Sequence, residues 1–130
     1  MKAAATILLT SMIMAASAPV NYKLAEFEHK VGQIMIELKQ KGWKPKINEQ
    51  FRSVKRQKEL VKKGFSTTMR SKHLCGLAVD IIDKRYLWNI PIKHQFWKDL
   101  GAAARKYGLI WGGDWRRFVD VAHVESKRGC

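Results

Sequence analysis

Apolar residues recur at helical spacing in two stretches of the chain. The first set is Leu24, Phe27, Val31, Ile34 and Leu38, and the second is Phe96, Leu100, Ala103, Ala104 and Tyr107. Positions three and four apart lie on one face of an α-helix, so each stretch predicts an amphipathic helix that packs on a core. Asn21 is placed to cap the first helix and Gly42 to end it, whereas Gly108 closes the second.

Shorter runs between and after these helices predict strands. Residues 77–82 are mostly apolar and β-branched, and residues 121–125 alternate in the same way. A weaker alternation over 46–51 predicts a third strand, after which Ser53 is placed to cap a helix that stops at Gly64. The expected order is therefore helix, strand, helix, strand, helix and then two short strands.

Polar residues within and beside these strands form the most informative pattern of the chain. Asp80 lies in an apolar strand, where a buried charge is costly unless it is paired or bound to a metal. Gly76 permits a tight turn before that strand, so His73 can face the same point. His123 lies in the second strand, with Asp120 at its entrance. Two imidazoles and a carboxylate leave one position of a zinc site open to water, which is typical of hydrolytic zinc.

Each of these residues has a more ordinary interpretation when taken singly. A histidine in a half-buried strand is usually a hydrogen-bonded core residue, and an aspartate after an apolar run is often a cap. Their joint occurrence in one small chain favours the metal site. His29 and His94 do not share the pattern, and both are predicted to be surface residues of helices.

The same residues resemble a family of zinc peptidases. The pattern S-x-H-x-x-G-x-A-x-D from Ser71 to Asp80, followed by D-x-x-H from Asp120 to His123, is similar to the D-alanyl-D-alanine carboxypeptidases and L-alanyl-D-glutamate endopeptidases. This family cuts the stem peptides of peptidoglycan and includes a branch of phage endolysins. The resemblance implies an α+β fold, in which about three helices flank a small, mostly antiparallel sheet that carries one Zn²⁺, as in the Hedgehog and D-Ala-D-Ala peptidase fold.

Two further segments extend the resemblance over residues 22–125. Residues 47–57 resemble the family's strand-to-helix segment, which carries a substrate-facing arginine. Residues 108–115, which contain the sequence Trp-Gly-Gly-Asp-Trp, resemble the endopeptidase branch in particular. The resemblance thus covers most of the chain after its amino end.

The resemblance also implies roles for individual residues. His73, Asp80 and His123 would be the zinc ligands, Asp120 the general base and Arg52 the group that polarises the scissile carbonyl. These roles agree with the chemistry, because a carboxylate can take the proton of an attacking water and a guanidinium can stabilise an oxyanion.

Other residues near the motifs receive weaker assignments. Glu125 is a competing base. Residues expected to contact substrate or to support the ligands are Ser71, Gln57, Trp111 and Trp115. The tryptophans expected to be structural are Trp43, Trp88 and Trp97.

Length and charge agree with one small exported enzyme. The 130 residues are 46% hydrophobic, include five Trp and show no repeat, which predicts a single peptidase domain over 19–130. The net charge of +14 is spread along the chain and predicts polyanionic partners. Peptidoglycan is the expected partner, with anionic wall polymers or lipopolysaccharide as further ligands. Nucleic acid is not the expected partner, and we expect a monomer.

The amino end has the layout of an export signal. Lys2 precedes an apolar stretch from Ala3 to Ala18 that ends in Ala16-Ser-Ala18. Pro19 is unfavourable for cleavage at that point, so residues 1–18 are expected to be either a signal peptide or an uncleaved membrane anchor. Either alternative predicts a protein of the periplasm or cell wall. Cys75 and Cys130 are able to pair in such an oxidising compartment, although the sequence leaves their pairing open.

The leading functional interpretation is a zinc L-alanyl-D-glutamate endopeptidase of wall turnover or phage lysis. A D,D-carboxypeptidase of the same fold is the first alternative. A secreted basic nucleic-acid-binding protein or metal-dependent nuclease is the alternative of another class, although no nucleic-acid motif is visible.

Overall fold

The computed structural model describes residues 21–130, and the predicted order of elements is confirmed. The elements are α1 Tyr22–Gln40, β1 Pro45–Glu49, α2 Val54–Lys62, β2 Ala78–Asp83, α3 Gln95–Lys106, β3 Ile110–Trp111 and β4 His123–Glu125, with 3₁₀ turns at Lys72–Cys75 and Gly112–Asp114. Within these described residues, no helix is both long and apolar enough to cross a membrane. The predicted export segment, 1–18, and the domain boundary at 19 lie outside the described residues and stay predictions.

The four strands form one antiparallel sheet in the order β1-β2-β4-β3. The central pair, β2 and β4, places Asp80 opposite His123. Together with the three helices, this sheet confirms the expected α+β class. Because side chains alternate across a strand, Asp80 and His123 share one face, whereas Val79 and Val124 point to the other.

The core lies between the sheet and the two long helices. Its largest members from α1 and α3 are Phe27, Ile34, Leu38, Phe96, Trp97 and Leu100. Val79, Ile81 and Val124 complete the core from the sheet. Burying each such aliphatic or aromatic side chain stabilises the fold by about 1.5–3 kcal/mol, so the helices hold the central strands in place from the side away from Asp80.

Polar side chains begin the three helices. Asn21 Oδ1 accepts a hydrogen bond from the Leu24 N–H at 3.1 Å, and Ser53 Oγ accepts one from the Arg56 N–H at 3.0 Å, as predicted. His29 is exposed, as expected. The expectation for His94 was wrong, because its ring is partly buried and its Nδ1 caps α3 by accepting from the Phe96 N–H.

A disulfide joins Cys75 to Cys130, which settles the pairing that the sequence left open. The bond links the end of the 3₁₀ turn at Lys72–Cys75 to the tail that follows β4. The tail is also held by the Ser126 N–H, which donates to the Leu77 carbonyl at 2.9 Å. The segment between His73 and β2 is therefore held by the tail.

Candidate metal centre and active-site cleft

Three side chains that the sequence places far apart converge at one end of the central strands. Ligand atoms of His73, Asp80 and His123 all lie within 4.8 Å of one another. His73 Nε2 is 3.3 Å and His123 Nδ1 is 3.4 Å from the same oxygen, Asp80 Oδ1. The predicted ligand set is therefore brought together by the fold, with Asp80 between the two rings.

The hydrogen bonds on the far side of each ring determine which nitrogen faces inward. His73 Nδ1 lies 2.9 Å from the Gln50 carbonyl, which can only accept, so Nδ1 carries the hydrogen and Nε2 presents its lone pair to the centre. His123 Nε2 lies 2.9 Å from Glu125 Oε1, which leaves Nδ1 facing Asp80. This is how ligand histidines are oriented in metal proteins, where the second ring N–H is donated to a carbonyl or carboxylate.

The centre carries polar atoms that lack partners within residues 21–130. His73 Nε2 and Asp80 Oδ1 are both buried without a hydrogen bond. An unsatisfied buried polar group costs about 1–3 kcal/mol, and a cation between these two atoms satisfies both. The donor set therefore fits a divalent metal ion.

In the metal-free protein, a proton on His123 replaces part of the positive charge that a metal ion would bring. Burial alone would lower the pKa of His123, but the nearby carboxylates of Asp80 and Glu125 raise it to about 9. Burial would raise the pKa of Asp80, but the two histidines hold it well below its usual range. Asp80 therefore remains ionised, and a metal that binds there has to displace the proton of His123.

Asp120, the predicted base, lines the cleft beside this centre. Its backbone is fixed from both sides, because its N–H donates to the Gly112 carbonyl at 3.0 Å and its carbonyl accepts from the His123 N–H at 3.2 Å. Burial and the nearby charge of Asp80 raise the pKa of its carboxyl group. A carboxylate with a raised pKa is a better proton acceptor, which suits a general base.

Gly112 permits the close approach that fixes Asp120. A Cβ atom added to Gly112 would lie 2.4 Å from the Asp120 carbonyl oxygen and 3.1 Å from His123 Cβ. Any side chain at this position would push the backbone of Asp120 away. The paired glycines of the Trp-Gly-Gly-Asp-Trp segment thus serve close packing beside the site.

Arg52 stands against the same centre with its guanidinium fixed. Its side chain is only 9% exposed, and Nη2 lies 3.7 Å from Asp80 Oδ2. The guanidinium also pairs with Glu49, and Nη1 donates to Gln57 Oε1 at 2.9 Å. The Arg52 N–H donates to the His73 carbonyl at 2.9 Å, so the arginine and the first ligand are joined through the backbone as well.

Gln57 supports this arginine from behind. It is fully buried, and its Nε2 donates to Ser66 Oγ at 2.9 Å and to the Thr68 carbonyl at 2.6 Å. Gln57 therefore anchors both Arg52 and the loop over 64–71, which is the supporting one of its two predicted roles. Ser71 lines the cleft and accepts a hydrogen bond from the His73 N–H at 3.2 Å.

Both carboxylate oxygens of Glu125 contact other side chains. Oε1 holds His123, and Oε2 lies 2.7 Å from Lys72 Nζ. Burial would raise the pKa of Glu125, but His123 and Lys72 lower it. Between the two carboxylates that the sequence left as competing bases, these contacts favour Asp120.

The candidate ligands, Asp120 and Arg52 line a cleft of about 730 Å³. The loop over 64–71 and the loop over 115–120 border this cleft. Trp115 lines the cleft, as proposed from the sequence. Trp111 is not among the residues that line it; its ring packs against Gly101, and its indole N–H donates to the Val121 carbonyl at 2.7 Å. The expectation that Trp88 is structural was wrong, because Trp88 is 55% exposed and lines the cleft.

Comparisons with known proteins agree with this geometry. The model of a family described as D-alanyl-D-alanine carboxypeptidase matches residues 64–126, which contain all three candidate ligands and Asp120. The peptidoglycan L-alanyl-D-glutamate endopeptidase CwlK of Bacillus subtilis (strain 168) is 33% identical, over 65% of this chain and 62% of that protein. The chain therefore resembles this peptidase family over the residues that carry the candidate site.

Two other proteins are similar to the chain over part of their length. The L-alanyl-D-glutamate peptidase of Listeria phage A118 is 38% identical, over 61% of this chain and 29% of that protein. The crystal structure of the Serratia marcescens L-Ala D-Glu endopeptidase ChiX shares 32% identity, with a TM-score of 0.49, over 63% of this chain and 65% of that one. The chain thus spans less than two thirds of each of these relatives.

The residues that support the candidate ligands were harder to predict than the candidate ligands themselves. The Gln50 carbonyl, Glu125 and Lys72 orient the two histidines and neutralise the charge behind them. The only signal for Glu125 was its placement on the same strand face as His123, two residues away. A backbone carbonyl leaves no trace in the sequence, so Gln50 was not predictable.

Proposed function

We propose that this chain is a zinc-dependent peptidoglycan hydrolase, an L-alanyl-D-glutamate endopeptidase that cuts the stem peptide. The observation that carries the proposal is the inward orientation of His73 Nε2 and His123 Nδ1 around Asp80 Oδ1. Zinc is the proposed ion because two imidazoles and one carboxylate are a common catalytic zinc set.

Each catalytic group of the chain has a task that its contacts support. Bound zinc lowers the pKa of a water molecule and polarises a carbonyl group. Asp120, whose pKa is raised by burial and by Asp80, takes the proton of the attacking water and passes it to the leaving amine. Arg52, held by Glu49 and Gln57, stabilises the negative charge that develops on the carbonyl oxygen.

The choice of the endopeptidase reaction rests on the relatives. CwlK, the phage A118 protein and ChiX are all named as enzymes that act on the bond between L-Ala and D-Glu. The resemblance of residues 108–115 to the endopeptidase branch favours the same reaction. These named activities do not favour the nuclease that the positive charge suggested.

A D,D-carboxypeptidase is the second candidate, because the matching family model is described by that activity. The two reactions differ in the bond that is cut. An endopeptidase releases a new amino terminus on D-Glu, whereas a carboxypeptidase removes the terminal D-Ala. The products therefore distinguish them directly.

The proposed compartment is the periplasm or cell wall, where peptidoglycan lies. The Cys75–Cys130 disulfide is typical of proteins that fold in oxidising compartments. Export would depend on residues 1–18, as predicted from the sequence. Fractionation of cells that produce the full chain, with and without residues 3–18, tests both export and anchoring.

The deciding experiment is digestion of purified sacculi by the zinc-loaded protein, with mass analysis of the released muropeptides. We expect new amino-terminal D-Glu, which is absent after chelation and in the Asp120→Asn variant. Loss of terminal D-Ala instead would support the carboxypeptidase. Intact sacculi together with degradation of plasmid DNA would overturn the proposal in favour of the nuclease.

A further inference from the structure

The cleft contains more positive charge than the catalytic groups require. Its lining includes five cationic side chains, Arg52, Arg56, Arg70, Lys72 and Arg117, against four carboxylates, Glu49, Asp80, Asp120 and Glu125. A divalent ion adds two further positive charges. The loaded cleft therefore favours a substrate with negative charge of its own.

Three of the five cations have an acidic partner close by. Arg52 pairs with Glu49, Lys72 lies 2.7 Å from Glu125, and Arg56 lies 3.7 Å from Glu59 on its own helix. The side chains of Arg70 and Arg117 form no ion pair or hydrogen bond with any of residues 21–130. These two guanidinium groups are thus available to a ligand.

Both free arginines lie on loops that also carry catalytic elements. Arg70 directly precedes Ser71, which holds the backbone of His73, and its own N–H donates to Thr68 Oγ1 at 2.9 Å. Thr68 is in turn bound by the buried Gln57. The backbone that carries Arg70 is therefore anchored at a fixed place beside the metal centre.

Arg117 lies three residues before Asp120 and between two aromatic residues of the cleft lining, Trp115 and Phe118. Phe118 has a φ of 54°, a conformation that is unusual for a bulky residue, and it stays 47% exposed. Arg117 thus contributes its charge to the same cleft lining as these two aromatic residues and Asp120.

We propose that Arg70 and Arg117 form a carboxylate-binding subsite that recognises the free carboxyl group of the glutamate next to the scissile bond. The proposal rests on the proposed endopeptidase function. A glutamate on the amine side of the cut carries one carboxyl group besides the one that continues the chain. Guanidinium groups bind carboxylates through paired, charge-assisted hydrogen bonds, so replacing that carboxylate by an amide removes the preferred ligand.

The test compares two synthetic stem peptides that differ only at this group, one with the free carboxylate and one with the carboxamide. We expect wild-type protein to cleave the acid with a kcat/KM about tenfold to hundredfold higher, mainly through a lower KM. Arg70→Gln and Arg117→Gln should raise the KM for the acid and leave the amide unaffected, so the preference disappears.

Arg116→Gln is the matched control, because Arg116 is an exposed neighbour that does not line the cleft. It removes the same charge and should retain the preference for the acid. An equal effect of Arg116→Gln would show general attraction rather than a subsite. Equal loss of both peptides in the cleft variants, or equal cleavage of both by wild type, would also overturn the proposal.

Failure of the proposed function is recognised separately. If wild type cuts neither peptide, the endopeptidase assignment fails, and calorimetric binding of the two peptides to zinc-loaded Asp120→Asn still tests the subsite without turnover. Tighter binding of the acid, lost in Arg117→Gln, supports it, and equal binding of acid and amide overturns it. Zinc content and circular dichroism confirm that each variant is folded.

Discussion

Asp80 and His123 lie directly opposite each other on β2 and β4, and His123 Nδ1 is 3.4 Å from Asp80 Oδ1. The register of the two strands therefore aligns two of the three candidate ligands. A slip by one residue would turn one of them to the core face, so the metal site depends on the same pairing that buries Val79 and Val124.

Replacement of the central carboxylate should abolish metal binding. Asp80→Asn removes the charged oxygen that both histidines face, and we expect zinc content to fall from about one ion per chain to near zero. Elemental analysis after dialysis measures this. Asp114→Asn is the control, since Asp114 is exposed and pairs with Arg105, at 3.4 Å. Full zinc content in Asp80→Asn would refute the assigned ligand set.

Zinc affinity should increase with pH up to about 9. The raised pKa of His123, about 9, means that the metal-free protein keeps this proton through neutral pH, and the metal has to displace it. Raising the pH removes the competing proton, so affinity should rise about tenfold per pH unit below the pKa and level off above it. Titration against a chelator of known pH dependence measures the slope.

The variant Glu125→Gln tests whether the proton on His123 causes this pH dependence of zinc affinity. The variant removes one of the two carboxylates that hold the proton on His123, so affinity should level off at a lower pH. An affinity that does not change with pH, in either protein, would contradict the protonation assigned to His123.

Asp120→Asn should separate metal binding from turnover. The amide cannot accept a proton, so kcat should fall about 100-fold to 10,000-fold while zinc is retained. Steady-state cleavage of a stem peptide, together with zinc analysis, tests this. Glu125→Gln is expected to keep more activity at saturating zinc, and the reverse ranking would make Glu125 the base.

Gln57→Leu should weaken both the fold and catalysis. The change removes one acceptor of the mostly buried Arg52 side chain and the amide that donates to Ser66 and Thr68, so each of these three residues loses a hydrogen-bond partner. We expect the free energy of unfolding to fall by about 2–3 kcal/mol and kcat to fall with it. Urea unfolding measures the first quantity. Gln40 is exposed, so Gln40→Leu should change the free energy of unfolding by less than about 0.5 kcal/mol. An equal loss of stability in both variants would contradict the stabilising role of the Gln57 contacts.

Two glycine substitutions should have opposite effects. Gly112→Ala places a methyl group 2.4 Å from the Asp120 carbonyl oxygen, so it should reduce both activity and stability. Gly32→Ala, in α1, meets nothing within 4 Å and should stabilise the protein by about 1 kcal/mol through helix propensity. Thermal unfolding of the two variants checks the contrast, and retained activity in Gly112→Ala would show that Asp120 need not be fixed by this contact.

The sequence was sufficient to predict the elements and the convergence of the ligands. Periodic apolar residues and local caps depend on neighbours along the chain, so α1, α2 and β2 could be placed from the sequence. The three ligands were recognisable because a buried Asp80 in an apolar strand needs compensation from elsewhere.

The orientation of side chains around the site could not be predicted in the same way. Trp111 and Trp115 flank the same two glycines, yet one packs against α3 and the other lines the cleft. Trp88 reaches the cleft from the loop between β2 and α3, which contains no recognisable motif. Such choices depend on packing between distant segments, as does the pairing of Lys72 with Glu125.

The bond between Cys75 and Cys130 spans 55 positions and encloses Asp80, Asp120 and His123 in one covalent ring. His73 lies just outside it, two residues before the first sulfur. Even after denaturation, the ring keeps these segments from drifting apart, a restriction worth about 4 kcal/mol in the chain-entropy model. A chain whose thiols are reduced has to gather His73, Asp80 and His123 from a much larger volume before it can hold an ion.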